Sequence, residues 1–129
     1  MTSEANNHPA ARLKMILSVH DWTLIDATMD NTVAIADQNG DESTADQGGI
    51  VRKTGWAAAR HHPKADQGWE GWPPLEEDLS IELPATTWRF VAGQLRRWDE
   101  VDALVNPRGD GNPEPRGLEL ARMLEERIS

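Results

Sequence analysis

Apolar and polar residues alternate twice along this chain, and each time the alternation gives way to a helical spacing that carries a tryptophan. Leu13, Met15 and Leu17 enclose Lys14, with Ile16 the one break in strict alternation; Leu79, Ile81 and Leu83 enclose Ser80 and Glu82. A period of two predicts half-buried strands. After the first run, Ser18 with Asp21 three residues on supplies an N-cap and a carboxylate in the positive first turn. Trp22, Ile25, Met29, Thr32 and Ile35 then fall on one stripe of a helix reaching Asp37. After the second run, Pro84 suits a first helical turn, where its missing N–H is not needed. The helix that follows is predicted to bury Trp88, Val91, Ala92, Leu95, Trp98, Val101 and Val105, and to turn Arg89, Gln94, Arg96, Arg97 and Glu100 to water.

Between and after these units the pattern is weaker. Residues 37–49, DQNGDESTADQGG, have no apolar anchor and read as a polar loop. A second helix is expected over residues 50–62, burying Ile50, Val51, Thr54, Ala57 and Ala58 with Trp56 on an edge, and ended by Pro63. Residues 64–78 are a connector broken by Gly68, Gly71, Pro73 and Pro74, and residues 106–116 break again. A last amphipathic helix is predicted over 118–128 through Leu120, Ala121, Leu124 and Ile128.

The two units share a register. Leu13, Met15, Leu17, Trp22, Leu24, Ile25, Met29 and Ile35 meet Leu79, Ile81, Leu83, Trp88, Phe90, Val91, Leu95 and Val101 at one constant offset, without a gap. Ile50 meets Leu118 if the second loop is two residues longer. A fixed period of this kind predicts repeated architecture. The expected fold is α+β and helix-rich: a duplicated strand–helix–helix unit with pseudo-twofold symmetry and a small sheet packed on helices. Residues 1–129 are read as one domain, with repeat A at 12–62, the connector at 63–78 and repeat B at 79–128. Two strands alone are marginal, so the helices must bury the sheet or its edges must recruit a second chain; a homodimer is the expected extension.

The strand–proline–tryptophan–helix pattern, best seen in LPATTWRFVAGQLRRW, resembles small uncharacterised proteins of actinobacteria and their phages. That resemblance implies no activity, cofactor or site.

Composition narrows the classes. The absence of cysteine excludes disulfides, thiolate metal sites and cysteine nucleophiles and suits a reducing compartment. No apolar run approaches a membrane span and no export signal opens the chain, so a cytoplasmic protein without membrane partners is expected. A net charge of −9 argues against direct nucleic-acid binding. Arg outnumbers Lys, Tyr is absent and Trp occurs six times, a bias of GC-rich coding.

Candidate chemistry is thin. Asp37, Asn39, Asp41 and Ser43 alternate as in a calcium loop, but Glu42 stands where the sharp-turn glycine is needed and Gly48 where the bidentate acid is needed. His61 and His62 are adjacent on a helix and diverge by about 100°, so with His20 and His8 they make no metal set. Ser18, His20 and Asp21 are neighbours at a helix start, where capping is their ordinary work; Asp26, an inner-edge carboxylate whose counterpart is Ala92, is expected either to sit half-buried beside an arginine or to cap a loop, with general acid–base work as a further alternative. Arg108-Gly109-Asp110 reads as a chance tripeptide in a turn. No catalytic residue, metal or cofactor is assigned.

The connector carries Trp69 and Trp72, flanked by Glu76, Glu77 and Asp78, and these five are the predicted binding residues. The competing reading is that both indoles cover core edges between the halves. The expected function is a non-enzymatic protein-interaction module that self-associates. Its alternatives are an acidic, phage-type inhibitor of a nucleic-acid-binding protein, and a ligand binder or enzyme with a pocket between the repeats.

Overall fold

The computed structural model describes residues 11–68, 71–105 and 115–128. The order is β1 (Arg12–Ser18), α1 (Val19–Gln38), α2 (Glu42–Arg60), β2 (Asp78–Pro84), α3 (Ala85–Val105) and α4 (Arg116–Ile128). The described residues form an α+β fold of four helices and one two-stranded antiparallel sheet. The register pairs Leu13 with Leu83, Met15 with Ile81 and Leu17 with Leu79. The alternating apolar residues of both strands therefore point to one face, where Met15, Leu17, Leu79, Ile81 and Leu83 are buried. Two bonds prolong the ladder: Val19 N–H donates to Glu77 O at 2.8 Å and Ala85 N–H to Ala11 O at 2.9 Å.

Beneath that face, α1 packs along α2, α3 along α4, and α1 against α3. Trp22 and Trp88 lie at the centre, both fully buried and edge to face, with centroids 6.3 Å apart and planes at 82°. Such a pair adds about 0.5–1.5 kcal/mol beyond its area. Trp88 Nε1 donates to Leu13 O at 2.9 Å, whereas Trp22 Nε1 is a buried side-chain nitrogen without a partner among the described residues.

Ser18 caps α1, its hydroxyl accepting from the Asp21 N–H at 3.1 Å. The expected polar loop at 37–49 is overturned: the chain turns at Gly40, with φ of 72°, and α2 is helical from Glu42. Its N-cap is Asp41, whose carboxylate accepts from the Thr44 N–H at 3.2 Å. The glycines in this stretch set packing distance. A Cβ on Gly48 would lie 2.6 Å from Val33 Cγ2, and one on Gly55 would lie 1.8 Å from Trp22 Nε1. Gly48, Val51, Gly55 and Ala59 form the buried stripe of α2. That stripe leaves Ile50, expected inside, 55% exposed.

The outward face predicted for α3 is also corrected in part. Thr32 Oγ1 donates to Gln94 Oε1 and accepts from Trp98 Nε1, each at 3.0 Å, so Gln94 faces α1 and not water. Arg96 Nε donates to Glu125 Oε2 of α4 at 2.9 Å. Val101, predicted inside, is 41% exposed because α3 outruns the core over its last turns.

Candidate interaction site

The connector is a folded strap. Arg60 ends α2, His61 caps it, and turns bond Ala65 N–H to His62 O and Gln67 N–H to Lys64 O. Asp66 takes a left-handed conformation with φ of 66°, as does Gly71 with φ of 86°. Gly68 N–H donates to Trp72 O at 2.7 Å, and a Cβ on Gly68 would lie 2.4 Å from Pro73 O, so only glycine closes this crossing. The strap then reaches the start of α1, where His20 N–H donates to Leu75 O at 3.1 Å and Val19 N–H to Glu77 O. It thereby satisfies two of the donors that every helix start leaves open.

Four of the predicted binding residues are described, and they lie along this strap. Trp72 is half-buried and packs against the core cluster. Glu77 is held between Lys64 Nζ at 3.2 Å and His62 Nε2 at 3.6 Å. Glu76 is exposed, and Asp78 opens β2 opposite Ser18. Trp69 lies outside the described residues, as does the Arg108-Gly109-Asp110 tripeptide.

What does converge is Trp72 with α2. Trp72 and Gly71 face Trp56, Ala59 and Arg60 across an open cleft of about 270 Å³. Trp56 is 37% exposed and is held in place: its Nε1 donates to Asp26 Oδ1 at 3.0 Å, and the Arg52 guanidinium lies 4.8 Å from its ring centroid. Arg52 in turn donates to Asp26 at 3.2 Å and to Asp30 at 2.9 Å. Asp26 therefore has its arginine, and an indole N–H as well, and is spoken for as a positioning carboxylate. Arg60 is exposed at the rim and makes no ion pair among the described residues. The described lining of the cleft thus offers two indole surfaces, a small alanine floor and the Arg60 guanidinium.

Comparison with family models, with curated proteins and with solved structures finds no match for this chain. Its geometry has to speak for it.

A second cleft, about 330 Å³, lies between the two helical pairs, lined by Leu24 and Thr28 of α1, Leu95 and Trp98 of α3, and Arg116 at the start of α4. Among its described lining residues are neither Asp26 nor a histidine. Arg116 is engaged: its Nε donates to Asp21 Oδ1 at 2.8 Å and its terminal nitrogen to Oδ2. The Asp21 side chain is only 8% exposed, and those bonds hold its carboxyl below the ordinary carboxylate range against the opposing pull of burial. Glu125 is likewise held low by Arg96, and Asp41 by its bonds to Thr44. Ser18 and Asp21 do capping and ion-pair work, and His20 is exposed beside them. Among the described residues no three His, Asp or Glu side chains are placed to share a metal ion, and no helix is long and apolar enough to cross a membrane.

Trp56 and Arg60 were missed as site residues in the sequence. Their partner Trp72 stands more than ten positions away, beyond Pro63, and no periodicity links them. The available signal was Trp56 itself, an indole placed on the edge of a helix just before the tryptophan-bearing strap.

Proposed function

We propose that this chain is a non-enzymatic protein-interaction module that associates with itself. The observation that carries this reading is the Trp56–Trp72 cleft with Arg60 at its rim. Indoles and arginines concentrate binding energy because they bury large surfaces and still offer donors. Two carboxylates in this region are committed to structural partners: Asp26 to Arg52 and Trp56, and Glu77 to Lys64 and His62. The test is light scattering over a wide concentration range on the intact chain. A weight-average mass that rises with concentration, and that falls back on Trp56→Ala, is the expected result. A monomer at every concentration refutes self-association.

We also propose that the fold is a duplicated strand–helix–helix unit about a pseudo-twofold axis. The ladder supports it, because the Met15–Ile81 pair maps onto itself under the sequence offset while Leu13–Leu83 and Leu17–Leu79 exchange. Two equivalent pairs are in contact, Trp22 with Trp88 and Thr32 with Trp98. Asp30 and Arg96, also equivalent, each pair with the following helix, through Arg52 and Glu125, with the charges reversed. The buried stripe Gly48, Val51, Gly55 and Ala59 aligns with Gly117, Leu120, Leu124 and Ile128, one residue beyond the Ile50–Leu118 alignment. An experimental structure tests the idea: superposing residues 12–38 on 78–104 should require a rotation close to twofold, and a clearly different rotation would overturn it.

A further inference from the structure

The interaction cleft has a counterpart elsewhere on the same molecule. The last turns of α3 run past the core and leave Leu104 84% exposed and Val101 41% exposed. Glu100, also exposed, lies four residues before Leu104, so Glu100, Val101 and Leu104 share one helical face. On α2, Arg60 lies four residues after Trp56, again on one face. One surface therefore offers an apolar knob with a carboxylate one turn away. The other offers an apolar cleft with a guanidinium one turn away. The charge follows the apolar group in α2 and precedes it in α3, so the two surfaces match when the helices run antiparallel.

Resting on the self-association proposed above, we infer that the end of α3 of one copy seats in the Trp56–Trp72 cleft of a second copy. Leu104 enters between the indoles, Val101 covers the cleft edge, and Glu100 meets Arg60. The cleft, about 270 Å³, has room for the Leu104 side chain together with part of its neighbour Val101. The ion pair fixes direction, and exclusion of water by the indoles strengthens it. Each copy has one knob and one cleft, so the contact is head-to-tail and leads to a ring or a chain unless geometry closes it at two. This also accounts for an exposed leucine on a surface that is otherwise strongly acidic.

The experiment uses the full chain and two surface variants, Arg60→Glu and Leu104→Glu, neither of which removes a side-chain hydrogen bond or ion pair among the described residues. Sedimentation or light scattering should show each variant associating at least roughly tenfold more weakly than the native chain. Mixing the two is decisive. The Arg60→Glu copy keeps an intact knob and the Leu104→Glu copy an intact cleft, so the mixture should form a one-to-one heterodimer and grow no further. Native-like association of both variants, or a mixture that stays monomeric while the native chain assembles, overturns this contact but leaves self-association standing. A native chain that is monomeric throughout overturns both.

Discussion

Gly55→Ala is the substitution most sharply decided by this structure. The new methyl would stand 1.8 Å from Trp22 Nε1, 2.2 Å from Cε2 and 2.5 Å from Cζ2. Those atoms cannot retreat, because the indole is fully buried and pressed edge-on against Trp88. Alanine gains about 1 kcal/mol of helix propensity over glycine. Against this, overpacking a filled core costs about 1–3 kcal/mol and occasionally more, and here α1 and α2 must part by an ångström or more. A net loss of about 2–3 kcal/mol is expected. At about 4 °C per kcal/mol for a chain of this length, Tm should fall by about 8–12 °C. Gly49→Ala and Gly93→Ala serve as controls: both are helical, with open space where the methyl would go, and each should raise Tm by about 2–4 °C. The cause can be isolated with Trp22→Phe, which removes the indole atoms nearest the new methyl and also the unpartnered N–H. In that background Gly55→Ala should cost at least about 1 kcal/mol less, read from urea unfolding as a double-mutant cycle. A Gly55→Ala variant as stable as the two controls would refute the reasoning.

Asp21→Asn tests the Asp21–Arg116 pair. The folded carboxyl titrates below its ordinary value of 3.8, so it adds stability that is present above that pH and lost as pH falls through the lower, folded pKa. The variant should lose about 1–2 kcal/mol at neutral pH and show a shallower decline below about pH 4, measured by thermal unfolding across pH. Thr32→Val removes both a donor to Gln94 and an acceptor for Trp98 Nε1; a loss of about 1–3 kcal/mol by urea unfolding is expected, and an unchanged midpoint would mean those bonds are not formed. Trp72→Ala should lower Tm more than Trp56→Ala does, because Trp72 leans on the core while Trp56 stands at the surface.

Strands and long helices were legible because their signals are local. Leu13 to Leu17 and Leu79 to Leu83 alternate, and Trp22 and Trp88 each stand at the head of an apolar stripe. The first two turns of α2 were not, because Gly48 and Gly49 looked like loop punctuation when Gly48 in fact lets α1 come close. The same misreading put Ile50 inside: the face turned toward α1 is marked by small residues, and hydrophobicity alone selects the wrong side. Asp41 did carry a signal, an acid three residues before Thr44. Gln94 and Arg96 looked solvated because their partners Thr32 and Glu125 are distant in sequence. The cleft is half legible, since Trp72 is among the predicted binding residues and Trp56 falls on a helix edge, but only folding of the strap brings them together.

That strap has a consequence for the order in which the protein can form. The start of α1 and the end of the ladder are completed by the carbonyls of Leu75 and Glu77, more than fifty residues further along the chain. As the chain is synthesised, α1 and α2 emerge with Trp22 lacking Trp88 and β1 lacking its partner strand. They remain an open half until β2 arrives. Closing that long loop comes before most of its reward, so folding should be slow for a helical protein of this size and vulnerable to association while β1 waits.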